Sequence, residues 1–163
     1  MTKVQEFERQ TKILIDELKA VCANYGLGND GNEYKIIAQV FLYKFLNDKF
    51  IYEVKKLNAE IDHADNVDEV LRNFSADEYE MLMMQLLEST AQISPDQFIS
   101  SLFIQQNEPN FADLFDNTLI DIARKNSGIF SAITNEGQKI ALFEDISHYV
   151  FKDRDGFCKA IIN

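Results

Sequence analysis

The chain has 163 residues, which is enough for one compact hydrophobic core and short for a second complete domain. Apolar residues make up 46% of it and aromatic residues 12%, which excludes a disordered protein, and six Gly and two Pro suit long helices better than the frequent turns of an all-β fold. The formal net charge of −11 argues against a protein that binds nucleic acid on its own.

The acidic residues are unevenly distributed. Residues 1–61 carry nine basic and nine acidic side chains, whereas residues 62–163 carry seven basic and eighteen acidic ones. Because phosphates repel such a surface, we expect contact with DNA only inside an assembled complex. An acidic face suits a basic protein partner, and it is equally well explained as a surface that keeps the domain in solution.

The sequence predicts neither export nor membrane insertion. Residues 1–9 lack the apolar core of a signal peptide, and the longest uncharged apolar stretch, 36–43, is far below the roughly 20 residues that cross a bilayer. We therefore expect a cytoplasmic protein without membrane contact. Cys22 and Cys158 are isolated thiols, which we expect to be free and buried.

The first predicted element is an amphipathic helix over residues 3–24, where apolar side chains recur at three- and four-residue spacings. Gly26 then ends the helix. Residues 26–31 match the pattern GxGxxG, but a nucleotide-binding loop of this kind follows a strand, and here a helix precedes it. We interpret the stretch as a flexible connection.

The second predicted element is a long helix from Glu33 to about Ile61, with Asp30 or Asn32 placed to cap its start. Between residues 34 and 52, apolar side chains occur at nearly every angle around the axis. That pattern is typical of a helix packed on several sides or lying against another subunit. We expect this helix to be the centre of the fold.

Shorter helices are predicted for the rest of the chain. After an acidic connection at 62–69, Ser75 to Glu78 has the form of a capping box, and Ser94 to Gln97 is a second such start. Asn110 is placed to cap a helix that ends before Ser127, and segments at about 137–151 and 155–162 complete the chain. No alternating run requires a sheet. The sequence predicts an all-α fold, an irregular multi-helix bundle around one long central helix at about 33–61.

Motifs for catalysis are missing from the sequence. His63 and His148 lie far apart, and neither sits in HExxH or beside a nucleophile. Residues 153–156 match part of a calcium loop but lack the remaining ligands, and we interpret them as a turn. We predict no catalytic, cofactor-binding or metal-binding residue in this chain.

The stretch Glu33–Phe50 resembles the best-marked segment in the helical N-terminal domain of M subunits of type I restriction-modification systems. That segment typically reads Glu-Tyr-Lys, then an apolar run ending in Phe-Leu-Lys-Tyr-Leu-Ser-Asp-Lys/Arg-Phe, and here it reads EYKIIAQVFLYKFLNDKF. Weaker likenesses at 16–19, 110–130 and 139–143 follow the family's order. The chain departs from the pattern at Gln39, Tyr43, Phe45 and Asn47.

The resemblance implies a division of labour. The specificity (S) subunit reads the DNA, a later domain of the M subunit binds S-adenosylmethionine and methylates adenine N6, and this helical domain supports assembly and closure around DNA. Residues 1–163 are then one N-terminal domain, and the catalytic domain is expected after it. That later domain requires an Asn/Asp-Pro-Pro-aromatic motif, which is not found in residues 1–163, where Pro95 and Pro109 are not adjacent. The implied partners are the S subunit, other M subunits and the restriction (R) subunit.

Two sets of residues on the long helix are candidates for these roles. Lys35, Lys49 and Lys56 fall within about 60° of one another on an ideal helix and are candidates for contact with DNA phosphates. Glu53 shares their face, so a solvated stripe with local ion pairs also explains them. The candidates for a structural or assembly role are Tyr34, Phe41, Leu42, Phe45, Leu46 and Phe50.

A second interpretation stays open at this point. The chain is then a free-standing helical module, an adaptor or inhibitor that uses the same bundle to bind a methyltransferase or another protein. Continuation of the reading frame into methyltransferase motifs distinguishes the two interpretations.

Overall fold

A computed structural model describes residues 2–27, 32–87, 90–126, 131–133, 139–141, 147, 150 and 153–162. Most of these residues are helical, which confirms the predicted all-α fold class. The helices are α1 (Lys3–Asn24), α2 (Glu33–Leu57), α3 (Ala59–Asp62), α4 (Val67–Arg72), α5 (Ala76–Met84), α6 (Ile99–Ile104), α7 (Phe111–Lys125) and α8 (Arg154–Ile162), with a 3-10 turn at Pro95–Gln97. Within the described ranges, no helix is long and apolar enough to cross a membrane.

Helix α1 ends at the glycine that the sequence indicated. Gly26 has a φ of 82°, and its amide donates to the carbonyl of Ala23. The amide of Leu27 donates to the carbonyl of Cys22 at 2.8 Å, and the Leu27 side chain is buried. These two bonds form a Schellman motif, in which glycine relieves the strain of the left-handed backbone. Gly28 to Gly31 lie outside the described residues, so the predicted flexible connection is not tested.

Replacing Gly26 with alanine is expected to lower the free energy of unfolding by about 1–2 kcal/mol, which is the cost of the left-handed conformation for an L-residue. A Cβ at this position meets no atom within 4 Å, so backbone strain is the expected source of the loss. Urea denaturation measures the change. Gly26→Asn is the control and is expected to recover part of the loss, because asparagine tolerates this backbone region. An unchanged stability of Gly26→Ala contradicts the prediction.

The long second helix ends four residues earlier than predicted. Helix α2 stops at Leu57 because Asn58 takes an extended conformation, with φ −149° and ψ 118°. The Asn58 side chain accepts a hydrogen bond from the amide of Glu60 at 2.8 Å and so begins the short helix α3. The predicted single helix to about Ile61 is therefore two helices.

The predicted acidic connection at 62–69 contains the start of a helix. Asn66 accepts a hydrogen bond from the amide of Glu69 at 3.1 Å and caps α4, whose first turn holds acidic residues favoured by the helix dipole. The capping box at Ser75 is confirmed, since its hydroxyl accepts from the amide of Glu78 at 3.1 Å and the Glu78 carboxylate accepts from the amide of Ser75 at 3.3 Å.

The segment that begins at Ser94 forms a shorter element than its pattern indicated. The side chain of Gln97 accepts from the amide of Ser94 at 3.1 Å, but the helical turn stops at Gln97. Phe98 is extended, with ψ 150°, and α6 begins anew at Ile99. The capping signal is local and indicates where the turn starts, and the turn stops before Phe98, whose side chain is buried in the core.

The cap of α7 is not the predicted one. Asn110 has a left-handed backbone with φ 61° and makes no side-chain cap bond, because a capping side chain reaches the helix amides from an extended backbone. The carboxylate of Asp155 instead accepts from the amide of Ala112 at 2.8 Å. Helix α7 is thus capped by a residue 43 positions away along the chain.

The last part of the chain differs from the prediction in two places. Strand β1 (Ser131–Ile133) pairs antiparallel with strand β2 (Lys139–Ala141), and a three-residue ladder is too short for an alternating pattern to reveal. Of the predicted segment at 137–151, the structure describes β2 and residues 147 and 150. The predicted turn at 153–156 is the start of α8, where the Asp153 side chain accepts from the amide of Gly156 at 3.1 Å.

The hydrophobic core joins the helices that are distant in sequence. The ring of Phe50 lies 5.8 Å from that of Phe98 and 6.5 Å from that of Tyr79, measured between centroids. The rings of Tyr25, beyond the end of α1, and Phe157, on α8, meet edge to face at 5.4 Å. The first and last helices are therefore held in one core.

Candidate functional site

Helix α2 has one continuous buried side. Its buried residues recur every three or four positions, which places them on one stripe that faces the core. They are Ile36, Gln39, Tyr43, Leu46, Asn47, Phe50 and Val54. The apolar residues at the remaining angles of α2 lie outside this stripe, so packing in the core does not account for all of them.

Two polar residues of the stripe fix the segment before α6. The Tyr43 hydroxyl donates to the carbonyl of Gln97, and Asn47 Oδ1 accepts from the amide of Ile99 at 3.0 Å. Asn47 thereby satisfies an amide of the first turn of α6. Burial, with a smaller effect of Asp96, raises the pKa of the Tyr43 hydroxyl above its ordinary value, so it remains a hydrogen-bond donor.

The other side of α2 forms a groove with α1, which we call the α1–α2 groove. Its volume is about 670 Å³. Aromatic and aliphatic side chains from both helices line it, and lysines lie at its border. The lining residues include Phe7, Leu14, Phe41, Phe45, Lys49 and Tyr52. Phe45 is 60% exposed and Phe7 69% exposed, so the groove presents large apolar side chains to solvent.

The structure places two of the three candidate lysines beside exposed aromatic rings of α2. The Lys49 ammonium lies 6.0 Å from the centroid of the Phe45 ring, and the Lys56 ammonium lies 4.2 Å from that of Tyr52. Both are within range of a cation–π contact. Lys56 is also 3.5 Å from the carboxylate of Glu53, the ion pair that the sequence indicated. Lys35 is exposed but lies roughly 21 Å of helix rise before Lys49.

The six structural or assembly candidates separate into three groups. Leu46 and Phe50 belong to the core, and Leu42 is partly buried against it. Phe41 and Phe45 line the α1–α2 groove. Tyr34 is 70% exposed at the start of α2. The first group holds the fold, and the aromatic residues of the other two are available to a partner.

A buried charged cluster joins α7 to α8. Asp116 is 2% exposed and accepts hydrogen bonds from the amide and the hydroxyl of Ser147. The Arg154 guanidinium lies 3.3 Å from Asp116 and 3.1 Å from Asp113. Sequence reasoning missed this cluster, although a carboxylate within the apolar stripe of α7 was a signal for it.

The two cysteines are free and buried, as predicted. Burial and the nearby Glu33 raise the pKa of the Cys22 thiol to about 11, and burial raises that of Cys158 as well. Thiolate, the nucleophilic form, is therefore scarce at both positions. Among the residues that the structure describes, no group of three His, Cys, Asp or Glu side chains is placed to hold a metal ion.

No model of a known protein family, no curated protein and no solved structure matches this chain. A functional interpretation therefore depends on the residues of α2 and on their placement.

Proposed function

We propose that the chain is an accessory assembly domain of the M subunit of a type I restriction-modification system, the adenine-N6 DNA methyltransferase of such a system. The main observation in support of the proposal is that α2 exposes aromatic side chains on the side that does not face the core. Within the stretch Glu33–Phe50, which resembles the family, Tyr34 and Phe45 are exposed and Phe41 lines the groove. Exposed aromatic side chains on one face of a helix are typical of a surface that binds another protein.

The charge distribution supports an accessory role. The neutral part of the chain, residues 1–61, contains the α1–α2 groove, whereas residues 62–163 carry the excess acid. Such a chain binds DNA poorly by itself and contacts it when basic partner subunits complete the surface. In this proposal the partners are the S subunit, other M subunits and the R subunit in the cytoplasm, and S-adenosylmethionine is bound by the catalytic domain.

The lysines of the same helix are the proposed contacts with DNA. Lys49 and Lys56 lie two turns apart beside the exposed rings of Phe45 and Tyr52, which keeps their charges at the protein surface. Lys35 contributes from the far end of α2. Each phosphate that a lysine neutralises releases counterions and therefore makes binding depend more steeply on salt.

The test replaces Lys49 and Lys56 by glutamate in the complete enzyme. DNA binding is expected to weaken, and the slope of log affinity against log salt is expected to become shallower by roughly 0.9 for each lost phosphate contact. Lys35→Glu alone tests the third contact. Fluorescence anisotropy with labelled target DNA over a series of salt concentrations measures both quantities.

The matched control is the pair Lys44→Glu and Lys55→Glu, which makes the same change in charge about 100–140° away around the axis of α2, across the α1–α2 groove from Lys49 and Lys56. It is expected to leave the salt slope unchanged. An unchanged affinity and slope in the Lys49 and Lys56 variant removes these lysines from the proposal. Equal effects of the two pairs indicate a non-specific effect of net charge and contradict the assigned contacts.

A free-standing interaction module is the second candidate, and the α1–α2 groove favours it equally. The gene separates the two candidates. A reading frame that continues past Asn163 into a Gly-rich loop and an Asn-Pro-Pro-aromatic motif, beside genes for S and R subunits, supports the first. A stop codon directly after Asn163 supports the second.

A further inference from the structure

A second exposed apolar surface lies on α5. Met81 is 65% exposed and Met84 79% exposed. On an ideal helix, these two residues share an arc of about 100° with Asp77 and Glu80. We call these four residues the α5 face. Exposed methionines are adaptable contact residues, and acidic side chains flank them here.

The α5 face and the α1–α2 groove have opposite charge. Helix α5 contains Asp77, Glu78 and Glu80 and no basic residue. Lys44 and Lys49 line the groove against one acidic residue, Asp48, and Lys56 lies over the Tyr52 ring beside Glu53. Contact between the two surfaces thus brings unlike charges together around an apolar centre.

The two surfaces also agree in length. Helix α5 has nine residues and is about 13 Å long, and the part of α2 that lines the groove, from Phe41 to Tyr52, rises about 16 Å. An amphipathic helix of this length fits along the groove with its apolar residues inward. In the structure both surfaces are exposed, so neither covers the other within one chain.

We propose that the α5 face of one copy docks into the α1–α2 groove of a second copy. Met81 and Met84 pack between the rings of Phe45 and Tyr52, and the acidic residues beside them meet the lysines at the border. The contact joins two different surfaces, so each copy offers one of each and the association is head to tail. This inference does not depend on the proposed role in a methyltransferase.

Sedimentation equilibrium of the purified chain tests the proposal. The weight-average mass of the wild type is expected to rise with concentration above the 18.8 kDa of one chain. Phe45→Glu places an acid in the groove, and Met84→Lys places a base on the α5 face, so each variant alone is expected to remain monomeric. An equimolar mixture of the two is expected to reach about twice the mass of one chain and no more, because one intact groove meets one intact α5 face.

Controls separate docking from misfolding. Tyr34→Glu changes an aromatic residue of α2 that is 70% exposed and outside the groove, and it is expected to associate like the wild type. Circular dichroism confirms that each variant is folded. The proposal is overturned by a wild type that stays monomeric at all concentrations, or by a mixture of folded variants that stays monomeric. It is also overturned if Phe45→Glu abolishes association while Met84→Lys retains it, since grooves then pair with each other.

Discussion

Replacing Phe50 with alanine is expected to lower the free energy of unfolding by about 3–5 kcal/mol, the range for truncation of a fully buried aromatic side chain. No part of Phe50 is exposed, and its ring contacts those of Phe98 and Tyr79. The alanine leaves a cavity where α2, α5 and the residue before α6 meet. Chemical denaturation measures the loss as a lower midpoint with an unchanged slope.

Phe45→Ala is the matched control for this prediction. The residue lies five positions earlier on the same helix, but its side chain is mostly exposed and lines the α1–α2 groove. Its truncation is expected to cost less than about 1 kcal/mol, as for most surface positions. Similar losses for the two variants contradict the orientation of α2 described above.

Asp116→Ala is expected to lower the free energy of unfolding by about 3 kcal/mol, the lower end of the range for breaking a buried ion pair. The substitution removes the buried carboxylate that contacts the Arg154 guanidinium and accepts both Ser147 bonds. The lower end applies because the Arg154 side chain is about a third exposed and water replaces part of the contact. Urea denaturation at neutral pH measures the loss.

The control contacts the same arginine from the surface. Asp113 lies 3.1 Å from the Arg154 guanidinium, but its side chain is 58% exposed. Asp113→Ala is therefore expected to cost less than about 1 kcal/mol, because exposed ion pairs are screened by water and salt. A loss as large as that of Asp116→Ala shows that burial is not what makes the cluster stabilising.

The features predicted correctly from the sequence depend on residues close together in the chain. The capping box at Ser75 and the stop at Gly26 involve hydrogen bonds that span three to five residues. Two of the features that were predicted wrongly are the cap of α7 and the end of α2. The first depends on a residue distant in the sequence, and the second depends on the backbone conformation of one residue. Asp155 replaces Asn110 as the cap of α7 from the far end of the chain, and the extended backbone at Asn58 interrupts a periodic pattern that continues on both sides of it.

The candidate site could be predicted from the sequence only where it depends on a single helix. Helical periodicity alone places Lys35, Lys49 and Lys56 on one side of α2. It does not reveal the α1–α2 groove, because the groove exists only where α1 packs against α2. Two departures from the family pattern, Tyr43 and Asn47, make the hydrogen bonds to the segment before α6. These two residues therefore have a role in the fold of this chain, although both depart from the pattern that the stretch resembles.

The cap that Asp155 provides for α7 has a consequence for folding during synthesis. A ribosome releases the chain from its N-terminus, so α7 emerges well before the residue that completes its first turn. The same short segment supplies Arg154 to Asp116 and the ring of Phe157 to Tyr25. Until these residues emerge, the first turn of α7 lacks the Asp155 cap and Asp116 lacks the Arg154 contact that it makes in the folded chain. Helix α8 thus completes the packing of α7, and the helical domain is expected to acquire its full stability only after residues 154–157 have left the ribosome.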